Sequence, residues 1–242
     1  PLGDNPVIDF KSLARERLLS MQGAADEMIE VLEEAAEQQK HILIDVINAR
    51  APDDFTQWQH YPPGDVHDRE NGALWFYHDH AEDEAARPWS EHGHFHLFVY
   101  SEHVSDGVQP IALPPEPDME SGGLCHLVAI SFDNAGTPMR IFTVNRWVAV
   151  EWQYPAEEVI RLLDFFQLDN AEFSLTSRWL MAALKLFRPQ IEWSLRERDR
   201  VIETMRENDP EGFSEDQDIE VLSSFAFDLG GQIEAIEDAL DN

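Results

Sequence analysis

The stretch "EHGHFHLFVY" (residues 91–100) carries three histidines at every second position. Successive side chains of a β-strand point to opposite faces, so a strand here places His92, His94 and His96 in a row on one face. The other face carries only glycine, phenylalanine, leucine and valine, which is typical of a face that packs against a core. The stretch therefore predicts a buried strand with a polar site on one side.

Three other segments in the middle of the chain predict strands that pair with this one. Residues 73–80, 124–132 and 138–150 have the length of strands and are rich in aromatic and β-branched residues. The tetrapeptide "DNAG" (133–136) between the last two has the composition of a hairpin turn. We expect a central antiparallel sheet of about four or more strands within residues 73–150.

Both ends of the chain carry the periodicity of amphipathic helices. In residues 7–49 apolar side chains recur every three or four positions, with a break near Gly23. After residue 155 the pattern is helical again, with a bend at Pro189 and a last helix over residues 218–240.

These patterns predict an α+β fold in which helices from both ends pack on the sheet. Residues 50–73 are rich in proline and glycine and are predicted to form a loop. The organisation is a helical segment (1–50), a β-rich core with the histidines (51–154) and C-terminal helices (155–242), which we expect to form one integrated domain.

The charge of the chain excludes some partners. The 48 acidic residues outnumber the 17 basic ones, and the formal net charge of −31 would repel nucleic acid and anionic membranes. We interpret the acidity as a solubility trait; the alternative is recognition of a basic partner. No apolar run is long enough to span a membrane. No signal peptide is visible and Cys125 is the single cysteine, so the expected location is the cytoplasm.

Histidines on neighbouring strands predict a metal centre. Neutral imidazole is a good ligand for zinc, copper and iron, and three protein ligands leave positions for water or substrate. We expect one divalent transition metal (Fe, Zn or Cu) per chain. The arrangement locally resembles the three-histidine site of α-carbonic anhydrases and the HxH motif of cupins, although the longer pattern of neither family is present. The candidate ligands are His94, His96, His126, His78, His80 and His92.

Three residues are candidates for a catalytic role beside the metal. Glu91 is a candidate proton carrier or ligand, and Tyr77 lies near the histidines, where a core role is the alternative. Arg146 is predicted at the end of a strand, on the same face as Arg140, and could clamp an anionic substrate group. A structural ion pair is the alternative for Arg146. Cys125 is expected to be a buried structural thiol.

The remaining histidines are predicted to have no role in the site. His60, His67 and His103 fall in segments interpreted as loops and are expected to be solvated, and His41 is expected to be structural. The sequence "GDVHD" (64–68) could supply a carboxylate that supports a ligand.

Six sequence blocks resemble an uncharacterised bacterial family, known as a domain of unknown function. The resemblance covers roughly residues 55–200 and implies no activity, only that the blocks belong to one domain. The blocks are "YPPGDV" (61–66), "YHDH" (77–80), "EHGHFHLF" (91–98), "HLVAIS" (126–131), "NRWV" (145–148) and "LFRPQI" (186–191).

The sequence leaves three functional hypotheses open. The first is a mononuclear metal-dependent enzyme that acts on a small polar or anionic substrate, with redox or oxygen chemistry favoured over hydrolysis. The second is a non-catalytic protein that binds a metal or ligand. The third is an acidic structural or interaction protein that uses its helices and whose histidines are only hydrogen-bonded. With any of the three, the helices could form a homo-oligomer.

Overall fold

The computed structural model describes residues 5–49, 60–79, 89–169 and 172–241. Within these residues six antiparallel strands form one sheet, and each strand pairs with its neighbours in sequence. The strands are β1 (His60–Asp68), β2 (Ala73–Asp79), β3 (Gly93–Tyr100), β4 (Leu124–Phe132), β5 (Pro138–Val144) and β6 (Val221–Ala226).

The α-helices come from both ends of the chain, as the sequence predicts for an α+β fold. Short 3-10 turns lie at 10–12, 101–103, 163–165 and 213–215. The helices are α1 (Arg15–Glu37), α2 (Ile44–Asn48), α3 (Arg146–Ala149), α4 (Ala156–Leu162), α5 (Ser174–Leu186), α6 (Arg188–Asn208) and α7 (Leu229–Leu240).

One face of the sheet packs on the helices and forms the main core. Trp75 in β2 is fully buried, and its indole Nε1 donates to Ser177 Oγ of α5 at 2.9 Å. Phe132 in β4 packs on Trp179 of α5 with ring centroids 5.5 Å apart. Each such aromatic side chain contributes about 1.5–3 kcal/mol through burial. This packing leaves the opposite face of the sheet, called the histidine face below, for the site.

Helix α1 corrects the expectation of a break near Gly23. The helix runs without interruption from Arg15 to Glu37, and the chain turns only afterwards, before α2. Gly23 lies on the exposed side of α1, and a methyl group added there would meet no atom within 4 Å. Glycine weakens a helix without necessarily ending it, and packing of the apolar stripe of α1 outweighs that effect.

The predicted loop over residues 50–73 is wrong for residues 60–68, which form β1. Strand β1 pairs on one side with β2 and occupies the end of the sheet. Prolines are tolerated at such an edge because no second neighbour needs their missing N–H groups. Residues 50–59 lie outside the described part of the chain.

Two further boundaries differ from the sequence predictions. The strand predicted over 138–150 ends at Val144, because the Asn145 side chain accepts from the backbone N–H of Arg146 and begins α3. The helix predicted over 218–240 is instead a strand, β6, followed by α7, whose first turn is capped by Asp228. Pairing with β5 decides the structure of this segment. The hairpin at 133–136 and the helix junction at Pro189 are confirmed.

A bulge in β4 decides which of its side chains lie on the histidine face. Phe98 pairs with His126 and Leu97 pairs with Val128, so Leu127 is an extra residue in β4. His126 therefore lies on the histidine face, while Val128 and the apolar residues after it at every second position lie in the helix-packed core. A regular strand would have placed His126 and Val128 on the same face.

Candidate metal centre

The histidine face brings together residues from three neighbouring strands. His60 of β1 pairs with His78 of β2, which in turn pairs with His94 of β3. In the next row Phe76 pairs with His96. The register therefore aligns the imidazoles across the sheet rather than only along one strand.

His94 and His96 point their Nε2 atoms at each other. The two nitrogens are 2.8 Å apart, and both side chains are almost fully buried. Two nitrogens about 2.05 Å from one ion lie about 2.9 Å apart at the right angle of square-planar or octahedral coordination, and about 3.3 Å apart at the tetrahedral angle of zinc. The spacing therefore fits two ligands at adjacent positions of a square-planar or octahedral ion and is short for tetrahedral zinc.

The outer nitrogens of both rings have partners. His94 Nδ1 lies 2.8 Å from Glu91 Oε1, and His96 Nδ1 lies 2.9 Å from His126 Nε2. When each Nδ1–H donates to its partner, each Nε2 presents a lone pair. Metal-ligating histidines are typically held in this way by a second group that accepts from the other ring nitrogen.

His78 completes the group. One ring nitrogen from each of His78, His94 and His96 lies within 4.8 Å of the other two, and among the described residues this is the group of histidine, cysteine or acidic side chains that could hold an ion. His78 is half-buried, whereas the other two are buried. The site therefore opens towards β2 and β1. His80 lies outside the described residues.

His126 lies behind His96 instead of within the group of three. Burial, and then the positive charge of Arg198, lower the pKa of His126 to about 3, so its ring is neutral and can accept from His96. Its backbone N–H donates to Glu151 Oε2 at 2.8 Å. His126 thus contacts the nitrogen of His96 that points away from His94, so the three rings do not converge on one point, and the position of His126 suits support of a ligand.

Aromatic rings enclose the histidines. Phe76 lies 5.2 Å from the His96 ring, Phe98 lies 5.0 Å from the His126 ring, and Phe142 lies 5.3 Å from the His94 ring, all between centroids. Such apolar surroundings disfavour charged imidazolium and favour the neutral rings that bind metals.

Glu91 holds the His94 ring in place. One carboxylate oxygen bonds His94 Nδ1, and the other accepts a hydrogen bond from the Trp89 indole Nε1 at 2.8 Å. Trp89 in turn packs edge-on against Phe142. The carboxylate is therefore fixed in place and shares its negative charge with the centre.

Two predicted site residues lie away from the histidine face. Tyr77 is fully buried on the helix-packed face, where burial and the charge of Asp79 raise the pKa of its phenol. Its hydroxyl lies 2.8 Å from His92 Nδ1. His92 precedes β3, so strand alternation does not hold its side chain beside His94. The structure therefore pairs His92 and Tyr77 with each other.

Arg146 also lies away from the predicted position. It sits in α3 beyond the end of β5, is 1% exposed, and donates to the Glu215 carboxylate. This is the structural ion pair weighed above as the alternative. Arg140 remains on the histidine face, but its guanidinium donates to Ser224 Oγ and lies over the Trp89 ring.

Sequence reasoning did not place His60 and Asp65 next to the group of three. His60 is exposed, as expected, but it lies in a strand and not in a loop, beside His78, and its Nδ1 lies 2.9 Å from Asp65 Oδ1. The predicted supporting carboxylate in "GDVHD" is thus present, although it supports His60. The sequence carried no clear signal for this, because Tyr61–Asp68 contains two prolines and lacks the apolar alternation of a strand. Cys125 was predicted to be a buried structural thiol. It is buried, and burial raises the pKa of its thiol well above the ordinary value.

Comparison with known proteins places the chain in a family. A family profile described as "Domain of unknown function (DUF6969)" matches residues 22–227. No curated protein and no solved structure matches the chain. In the part of the chain that the structure describes, no helix combines the length and apolar character needed to cross a membrane. Because the matched segment spans all six strands and the three clustered histidines, the chain belongs to this family of unknown function.

Proposed function

We propose that the protein binds one divalent transition metal through His78, His94 and His96 and uses it as a mononuclear enzyme. The observation that carries the proposal is the 2.8 Å approach of the His94 and His96 Nε2 atoms, with the outer nitrogen of each ring bonded to a second group. A metal held by three imidazoles keeps positions for other ligands and supplies Lewis-acid or redox chemistry.

The surroundings of the site favour a small substrate. His94 and His96 are buried beneath aromatic rings, and the half-buried His78 marks the open side. We infer a small polar or anionic substrate, and we favour redox or oxygen chemistry over hydrolysis because the aromatic enclosure limits access of water. Iron, copper and zinc all suit imidazole ligands. The single buried cysteine agrees with a reducing cytoplasm as the location.

Elemental analysis of protein purified without a histidine tag tests the metal. We expect about one equivalent of Fe, Zn or Cu in the wild type. The double variant His94→Ala/His96→Ala should lose it and keep its helical circular-dichroism signal, because the helices pack on the other face of the sheet. The matched control is His67→Ala/His103→Ala, which removes two histidines outside the group of three and should keep the metal. Full occupancy in the His94/His96 variant would contradict the assignment.

The variant His126→Phe tests whether His126 only supports the ligand His96 or binds the metal itself. Phenylalanine fills the space but cannot accept from His96 Nδ1. We expect the same stoichiometry with roughly 10–100-fold weaker metal affinity, the usual effect of losing such support. Complete loss of the metal would instead make His126 a ligand.

A non-catalytic metal site is the second candidate, and the near-complete burial of His94 and His96 favours it. The two candidates differ in whether the metal has an open position. Titration of cobalt-loaded protein with azide should change the visible spectrum if a position is open. An unchanged spectrum at high azide would favour a structural or storage site.

A further inference from the structure

His60 stands at the open side of the group of three. It pairs in register with His78, and the centroids of the two rings are 6.2 Å apart. Its side chain is 44% exposed, far more than the rings of His94 and His96. A molecule that reaches the metal from solvent on this side would pass the His60 ring.

The exposed ring is nonetheless held from two directions. Its face stacks on Phe76 with centroids 3.6 Å apart and planes 6° from parallel. Its Nδ1 lies 2.9 Å from Asp65 Oδ1. Exposed side chains normally sample several rotamers, so two such restraints on one exposed histidine indicate a fixed orientation.

The backbone of β1 is shaped so that Asp65 can reach His60. The register with β2 shifts between Tyr61 and Val66, and the intervening residues bulge from the edge of the sheet. Gly64 and Asp65 have φ angles of 83° and 57°. Glycine adopts this conformation freely, but for aspartate it carries some strain. Strained residues in bulges concentrate at functional sites.

We propose that His60, oriented by Asp65, contacts the molecule bound at the metal, and that this molecule carries an O–H or N–H group beside its metal-binding atom. Nδ1 of His60 is bonded to the Asp65 carboxylate, which leaves Nε2 as the ring nitrogen available to the bound molecule; with a single proton on the ring, held at Nδ1, Nε2 is a hydrogen-bond acceptor. Such an acceptor selects small hydroxylated or amino compounds over ligands without a donor. The inference rests on the proposed function and adds the chemical class of the substrate.

The test uses two probes that bind metals and differ in their donors. Acetohydroxamic acid keeps an N–H group beside its metal-binding oxygens, and azide has none. Both are titrated into cobalt-loaded wild type and His60→Phe, which retains the stack on Phe76 and loses both nitrogens. We expect His60→Phe to weaken hydroxamate binding about 5–10-fold and to leave azide binding within about twofold, as the loss of one hydrogen bond predicts.

Two further variants test the role of Asp65 and control for the loss of a histidine from β1. Asp65→Asn should weaken hydroxamate binding less than His60→Phe, because it disturbs only the orientation of the ring. His67→Phe, on the same strand, where His67 Nδ1 bonds the Tyr100 hydroxyl, should change neither probe. An equal loss of both probes in His60→Phe, or no loss of either, would overturn the inference. Cobalt stoichiometry is measured first, so a wild type that binds no metal is identified as a failure of the proposed function, and the inference then fails with it.

Discussion

In the proposed metal centre, the role of each histidine depends on the group that its Nδ1 or Nε2 already bonds. Nδ1 of His94 bonds the Glu91 carboxylate and Nδ1 of His96 bonds the His126 imidazole, so the Nε2 atoms of both rings can present lone pairs to one ion. His126 cannot present its Nε2 to the same ion, because this atom already bonds Nδ1 of His96. The spacing of histidines along a strand identifies which imidazole rings lie on one face of the sheet. The register between strands then decides which rings on neighbouring strands are close enough to bind one metal ion.

Glu151 makes stability depend on pH near neutrality. Burial, opposed chiefly by the positive charge of Arg198, raises the pKa of this carboxyl from 4.5 to about 7. The folded state therefore holds its proton more tightly than the unfolded state, which stabilises the fold at low pH. This stabilisation is lost as the pH rises from 4.5 through about 7.

We predict that Glu151→Gln removes this dependence. Glutamine can still accept from the His126 backbone N–H but carries no proton to lose. The difference between the free energies of unfolding of the wild type and the variant should fall by about 3 kcal/mol in total as the pH rises from 4.5 through about 7. Urea unfolding at pH values from 5 to 8 measures the part of this fall that lies above pH 5.

Glu158 provides the control for this measurement. Burial alone would raise the pKa of Glu158, but its hydrogen bonds to Arg161 and Ser105 outweigh burial and lower the pKa. Its titration therefore falls below pH 4.5, and the wild type minus Glu158→Gln difference should stay flat from pH 5 to 8. A flat Glu151→Gln difference would mean that Glu151 is ionised throughout this range.

The elements show where alternation alone is enough to predict structure. Strand β3 is regular, so the pattern of "HGHFHLFVY" correctly places His94 and His96 on one face. In β4 the extra residue Leu127 changes the face of every later side chain. A bulge leaves no mark in the alternation of an apolar run, so the sequence alone could not reveal it.

Edge strands were the least predictable elements. β1 contains two prolines and β6 contains two serines, so both lack the apolar alternation typical of strands. Their structure depends on pairing with a neighbour, which for β6 is reached only after a long stretch of helices. The loop predicted around His60 was wrong for this reason, because the position of His60 beside His78 depends on β1 being a strand.

Helix α1 allows a stabilising substitution. Gly23 lies in its interior on the exposed side, with no atom within 4 Å of an added methyl group. We predict that Gly23→Ala raises the free energy of unfolding by about 0.5–1 kcal/mol, because alanine loses less backbone entropy on folding. For a chain of this size the melting temperature should rise by roughly 1–4 °C.

Gly93 at the start of β3 is the matched contrast. A methyl group there would lie 2.3 Å from the backbone oxygen of His78. Gly93→Ala should therefore destabilise the protein, and it should also weaken metal binding because it displaces the strand that carries His78. A loss of stability in Gly23→Ala would show that α1 needs the glycine.

At the scale of the whole molecule, charge is the dominant feature. The chain has 17 basic residues for 48 acidic ones, and many of the arginines are already paired, as Arg178 is with Glu27 and Glu34. Exposed ion pairs contribute only about 0.2–1 kcal/mol each. The acidic side chains left over repel one another, and this repulsion is larger in the compact state than in the unfolded chain.

We therefore predict that salt stabilises the fold or leaves its stability unchanged. The distance over which exposed charges interact falls from about 30 Å at 0.01 M to about 10 Å at 0.1 M and about 3 Å at 1 M. The melting temperature should rise most between 0.01 and about 0.2 M sodium chloride, where repulsion over long distances is screened, and should then hold or rise slowly. Potassium chloride at equal ionic strength should give the same curve. A steep loss of stability over the first range would show that ion pairs such as those of Arg178 outweigh the repulsion, and Arg178→Gln would then abolish part of that loss.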